Sequence, residues 1–207
     1  MDLYEEKGIT IRFSEDPFAL VIITPIMKRA HNLKSSSEIV FVDSTSSCDP
    51  ENHSITFMLC PCAAGAVPLS VIITKGQTRE AYEKGFQLLN TTLEKPFNGK
   101  GNPSIFMTDD AEAEIKALLH VWPRSKNLLC IFHVLQSVWR WLWDSKHEIP
   151  KENRITLMRF FQDILYAHTP TDAEHQYKNA LGFVGSYLAT YEKWCKYIQD
   201  LWKRKEL

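Results

Sequence analysis

No stretch of this 207-residue chain approaches the ~18 uninterrupted apolar residues that a membrane-spanning helix needs. The longest apolar run near its start, Phe18-Ala-Leu-Val-Ile-Ile23, is closed at once by Thr24-Pro25. A basic leader is missing too, because Met1-Asp-Leu-Tyr-Glu-Glu6 is acidic, so secretion is disfavoured. The cysteines do not make an even set: Cys48, Cys60, Cys62, Cys130 and Cys195 read as free thiols in a reducing compartment. An excess of either charge is lacking as well. A net charge of −1 and a pI near 6.7 exclude a global electrostatic signature of nucleic-acid binding. Any contact with DNA must then come from a local patch or from segments outside this chain. There is no internal repeat and no low-complexity tract. With 44% hydrophobic, 12% aromatic and 24% charged residues, a disordered chain is excluded and one domain with a helical appendage fits.

What is present begins with three β-type segments, Glu38 to Asp43, Ile55 to Cys60 and Pro68 to Thr74. Turn material separates them, Asp49-Pro50-Glu51-Asn52 and Ala63-Ala64-Gly65-Ala66, so an antiparallel meander is expected. Thr78 then reads as an N-cap, and Ala81, Tyr82, Gly85, Phe86, Leu88 and Leu89 carry helical spacing to about Leu93. After the loop from Phe97 to Pro103 come a strand, Ser104 to Thr108, and a helix from Asp110 to about Val121, stopped by Pro123. Leu128 to Phe132 is a fifth apolar run. From Val134 onward the pattern is helical, in stripes over Val134 to Leu142, Ile155 to about Tyr166, and Thr171 through Tyr197.

Three antiparallel strands followed by two reached through helical crossovers is the strand logic of a ribonuclease-H-like sheet. The predicted fold class is therefore α/β: a ribonuclease-H-like mixed five-stranded sheet flanked by helices, with a helical insertion before the last helix. Four divisions are expected. Residues 1–37 form an N-terminal lead-in, 38–133 the core, 134–170 the helical insertion, and 171–207 a C-terminal helix.

Two acidic strand ends stand out. Ile39-Val-Phe-Val-Asp43 ends an apolar run on a carboxylate, and Ile105-Phe-Met-Thr-Asp109 repeats the pattern 66 positions later. A charge at the edge of a core is costly unless it is paired or bound to a cation. Carboxylates brought together on neighbouring strands form the oxygen-ligand sites that suit Mg²⁺. The bland alternative has Asp43 opening a turn and Asp109 or Asp110 capping the next helix. The expected strand order, with the first and fourth strands adjacent, favours the paired reading. Asp109 is preferred over Asp110 because it ends the strand.

Other features are less specific. Cys130-Ile-Phe-His133 has the spacing of half a zinc site, but supplies two ligands where four are normal. Its plain alternative is a buried strand cysteine and a cap or core histidine. Trp139, Trp141 and Trp143 with Arg140 could stack on bases. The favoured reading instead puts Trp139 and Trp143, four apart on one helical face, in the core. Lys203-Arg-Lys205 reads as a solvated end.

Together, Ile39-Val-Phe-Val-Asp-Ser-Thr45, Met107-Thr-Asp-Asp110, Val121-Trp-Pro123, Leu129-Cys-Ile-Phe-His-Val-Leu-Gln136 and Val138-Trp-Arg-Trp-Leu142 resemble the transposase domain of Mutator-like elements. The resemblance covers roughly residues 15–180, including Phe18 to Arg29 as the lead into the domain. It implies a DDE-type catalytic core that cuts and joins DNA with a divalent metal held by two aspartates and a glutamate. Asp43 and Asp109 carry over as the aspartates, and Cys130 and His133 as the family's Cys-x-x-His, with a zinc or structural role. The family's glutamate lies on a later helix. Glu174 in Ala167-His-Thr-Pro-Thr-Asp-Ala-Glu174 fits best, with Glu192 in reserve. Its local alternative is a capping box with Thr171.

The implied cofactor is Mg²⁺ or Mn²⁺, with Zn²⁺ as a second metal. The implied partners are DNA carrying transposon terminal repeats and further copies of the chain, without a membrane, in the nucleus. The family's flanking zinc modules are not in this sequence. The chain therefore reads as an isolated core, a fragment, or a degenerate or domesticated copy, and a domesticated or degenerate, non-catalytic DNA-associated scaffold is the rival expectation.

Overall fold

A computed structural model describes residue 4 and residues 6–46, 49–185 and 191–203, with side chains of 183–185 set aside. The chain divides into two compact units, Met1–Cys130 and Ile131–Leu207.

The first unit is a mixed α/β sheet. Its strands are β1 (Thr10–Glu15), β2 (Phe18–Ile23), β3 (Ile39–Thr45), β4 (His53–Cys62), β5 (Gly65–Lys75), β6 (Ile105–Thr108) and β7 (Lys126–Leu129). Its helices are α1 (Pro25–Ala30), α2 (Arg79–Thr92) and α3 (Glu112–Val121). The sheet runs in the order β1-β2-β5-β4-β3-β6-β7. β3, β4 and β5 form the expected antiparallel meander, and β6 and β7 join β3 in parallel. The sheet has seven strands, not five. The two extra ones lie in the lead-in, where β1 and β2 form an antiparallel hairpin laid along β5. The run Phe18–Ile23 is buried at alternate residues, as a strand inside a sheet must be. β1 is polar and half-exposed, as suits an edge strand.

One face of the sheet packs under α2 and α3. Thr78 caps α2 as its sequence predicts, its side chain accepting the Ala81 N–H at 3.3 Å. α2 lies so close that a Cβ on Gly85 would sit 2.5 Å from Ile72 Cγ2 of β5. Trp122, at the end of α3, gathers Phe86, Phe97 and Phe106 at ring-centroid distances of 5.8, 5.7 and 5.3 Å. Its Nε1 donates to Asn90 Oδ1 at 3.1 Å, which satisfies the buried indole.

His31 holds the loop before β6. Its ring Nδ1 accepts the Phe97 N–H at 3.3 Å and its carbonyl accepts the Asn98 N–H at 2.6 Å. Phe97 and Asn98 have φ of 54° and 53°, a left-handed conformation unfavourable for a bulky residue unless it is clamped in this way. Burial depresses the imidazole to a pKa of about 4, so it stays neutral and its Nδ1 remains an acceptor.

The second unit is helical: α4 (Ile131–Trp143), α5 (Lys151–Leu165), α6 (Pro170–Gly185) and α7 (Glu192–Lys203). The fifth apolar run divides, its first half forming β7 and its second half opening α4. The expected stripe from Thr171 through Tyr197 becomes two helices, α6 and α7. Val138, Leu142, Ile149, Leu157, Phe161, Ala180, Trp194 and Ile198 form this unit's own core.

Candidate functional site

The site is built where β3 and β6 end. Ile39, Val40 and Phe41 pair in parallel with Ile105, Phe106 and Met107, an offset of 66 residues. Asp43 and Asp109 share that offset. The β3–β6 pairing stops at Phe41 and Met107, two residues short of them: Asp43 lies inside β3, opposite Phe57 of β4, and Asp109 directly follows the last residue of β6. Val40 and Val42 are buried on the helix-covered face, and alternation turns Asp43 to the other face, where it is exposed.

Asp109 makes a local turn and not the helix cap considered for it. Its Oδ1 accepts the Ala111 N–H at 3.1 Å and folds the chain into α3. Asp110, the expected cap, does not take that place: Ala111 occupies the cap position, without a side-chain cap bond. The residue before Asp109 is tied to β7. Thr108 carbonyl accepts the Cys130 N–H at 2.7 Å, and Asn127 Nδ2 donates to Thr108 Oγ1 at 3.1 Å.

A third carboxyl lies beneath the pair. Glu114 of α3 shares a helical face with the buried Ala117 and Leu118 and is itself only 1% exposed. The Ser44 hydroxyl donates to its Oε1. Ser44 in turn bonds its cross-strand partner Thr56, with 2.7 Å between the hydroxyl oxygens. Burial pushes the Glu114 carboxyl up to about 7, against the opposing effect of the Ser44 bond. The charges of Asp109 and Asp43 add to the rise, which places both near it. Glu114 was readable in the sequence as a charged residue within an apolar i, i+3, i+4 stripe. It was passed over because it also fits an acidic first helical turn.

Glu174 lies in the helical unit, on α6. Its carboxylate pairs with Lys178 at 2.9 Å on an exposed face. The cap of α6 is Thr169, whose Oγ1 accepts the Asp172 N–H at 3.1 Å and donates to Asp172 Oδ2 at 2.7 Å. Neither Thr171 nor Asp172 is the cap, and Glu174 belongs to the second turn, because Pro170 opens the helix. Glu192 is exposed at the start of α7. Cys130 is the last residue of the sheet unit, and His133 stands in the first turn of α4. Among the described residues no group of three or more His, Cys, Asp and Glu side chains is gathered so as to hold a metal ion.

The tryptophans of α4 reverse the expected arrangement. Trp139 and Trp143 are 39% and 49% exposed, their rings 5.6 Å apart, and the Arg154 guanidinium lies 4.4 Å from the Trp143 ring centroid. Trp141 is the packed one, stacked on His147 at 4.0 Å and on Tyr197 at 4.6 Å. The core of α4 runs through Val138 and Leu142, and Trp141 flanks that line. Lys203 ends α7 in an ion pair with Asp200 at 3.7 Å, and Arg204 and Lys205 lie outside the described residues. No described helix is long and apolar enough to cross a membrane.

Comparison with known proteins agrees with the motifs. No curated protein matches the chain. The family model of the MULE transposase domain matches residues 27–137, more than half of the sequence, from α1 through both aspartates into α4. With both aspartates inside that span, this chain belongs to the MULE transposase domain family.

Proposed function

We propose that this chain is the catalytic core of a DDE-type DNA transposase with a ribonuclease-H-like sheet, cleaving and joining DNA strands with Mg²⁺ or Mn²⁺. The observation that carries the reading is the parallel pairing of β3 with β6, whose 66-residue offset Asp43 and Asp109 share. The donor set fits such a cation. Both groups supply hard oxygen ligands at the edge of a sheet, and Mg²⁺ commonly takes one or two protein carboxylates and completes its shell with water and phosphate oxygens. A bound divalent cation supplies activation of a water or 3′-hydroxyl and stabilisation of the leaving oxygen.

The chain's own part is positional. Asp43 stands within β3 and Asp109 directly after β6, and the Asx turn at Asp109 holds its side chain. Glu174 is the third carboxylate in this reading. Its ion pair with Lys178 is solvent-exposed and contributes about 0–1 kcal/mol. Cys130 and His133 furnish two of the four ligands a structural zinc site needs, and their role here is structural. DNA with terminal repeats is the substrate, which places the work in the nucleus. A net charge of −1 assigns the phosphate contacts to local patches or to other segments.

A non-catalytic scaffold is the second reading, favoured by the absence of a three-ligand group among the described residues. The two are separated by a cleavage assay on terminal-repeat DNA with Mg²⁺ or Mn²⁺. The transposase reading expects nicking by the wild type and none by Asp43→Asn or Asp109→Ala. Nicking that survives Asp43→Asn removes that residue from the chemistry.

A further inference from the structure

The β3–β6 ladder is registered only as far as Phe41 with Met107. On its other side β3 stays paired with β4 through Thr45 and Ile55. At the level of the aspartates, then, the two acidic strand ends have outrun their shared ladder. The Ser44–Glu114 hydrogen bond spans that gap, joining the residue after Asp43 to the helix that follows Asp109.

We propose that Glu114 is a positioning residue: through Ser44 it braces the β3 tip against α3 and so sets the separation of Asp43 and Asp109. Three features support this beyond the bond itself. Ser44 is held from both sides, because Thr56 of β4 bonds the same hydroxyl at 2.7 Å. Glu114 occupies an apolar stripe beside Ala117 and Leu118, where leucine or methionine would pack without a desolvation cost. Its Oε2 is fully buried and has no hydrogen-bond partner among the described residues, so the carboxyl is an unfavourable choice for stability alone. A buried polar group kept at such cost, one bond from a ligand-bearing strand, is placed as supporting partners of metal ligands are.

The functional consequence rests on the reading of Asp43 and Asp109 as cation ligands; the brace itself does not. Its test uses the whole chain and variants that separate shape from charge. Glu114→Gln keeps an oxygen for Ser44 and removes the ionisable group, Ser44→Ala breaks the brace and keeps the carboxyl, and Glu114→Ala loses both. Two readouts are taken: Mn²⁺ affinity by titration calorimetry, and the Asp109 and Asp110 amide resonances of metal-free protein. Ser44→Ala and Glu114→Ala are expected to weaken Mn²⁺ binding about tenfold or more and to shift those resonances. Glu114→Gln is expected to stay within about twofold of wild type and to leave them in place.

The opposite pattern, with Glu114→Gln impaired and Ser44→Ala normal, shows that Glu114 acts by charge and overturns the proposal. So does a folded Ser44→Ala protein normal in both readouts. If the resonances shift while Mn²⁺ binds wild type and Asp43→Asn alike, the brace stands and the metal reading falls.

Discussion

The sheet unit and the helical unit hold their polar chemistry in different ways. In the sheet, main-chain pairing sets the strands that carry the aspartates: a 66-residue offset in sequence becomes the parallel pairing of β3 with β6. Glu114 is buried there and held by the Ser44 hydroxyl, which Thr56 bonds in turn. In the helical unit, Glu174 sits on a solvated face with an i,i+4 lysine, and Trp139 and Trp143 look outward. Register transmits sequence order into geometry rigidly. A helix face tolerates rotation by one residue, so function there is harder to assign.

The largest expected effects test whether this difference is also a division of labour. Asp43→Asn and Asp109→Asn should each lower the DNA cleavage rate on the order of 10²–10³-fold, the several kcal/mol that metal-assisted chemistry supplies. Asp43 is exposed, so the melting temperature of Asp43→Asn should stay close to wild type. Glu174→Gln should match these losses. A loss below about threefold would break the pairing of the units and assign the chemistry to the sheet unit alone.

Next in size is a pH effect confined to the sheet unit. Glu114 is raised from its usual 4.5 to about 7, so its stabilising share is complete below pH 4.5 and fades as pH rises through 7. His31 is lowered from 6.5 to about 4, so its share is complete above pH 6.5 and is lost as pH falls through 4. The two slopes oppose each other. Glu114→Gln removes one, and urea melts should then show stability falling by roughly 3 kcal/mol from pH 6.5 to 4, far more steeply than in wild type. Parallel profiles for the two proteins would show that Glu114 does not titrate in this range.

Smaller still is Gly85→Ala. Its Cβ would meet Ile72 Cγ2 at 2.5 Å, and overpacking of this kind should cost about 1–3 kcal/mol in a thermal melt. At the bottom of the scale is Trp143→Ala, on the exposed face of the helical unit. Losing the Arg154 contact should cost about 0.5–1 kcal/mol. A larger loss would show that the outward face of α4 is less solvated than it is here.

The parts of the fold legible in the sequence were those governed by short-range rules. The meander, the Thr78 cap and the adjacency of β3 and β6 each follow from alternation, turn residues or a matched offset. Three features were not legible. The β1–β2 hairpin was missed because Thr10–Glu15 carries no apolar run, and only its pairing with β2 reveals it. The α4 tryptophans were misassigned because four-residue spacing says that two side chains share a face, not which way that face looks. Glu114 was hidden because an acidic first turn is ordinary, and only burial shows that it points inward.

Trp122 has one more consequence. Of the six tryptophans, it alone belongs to the sheet unit, and the other five lie in the helical one. It is also 2% exposed and ringed by three phenylalanines. The chain thus carries a separate optical label for each half: Trp122→Phe silences the sheet unit's emission, and subtracting its spectrum from that of the wild type follows each half's unfolding on its own.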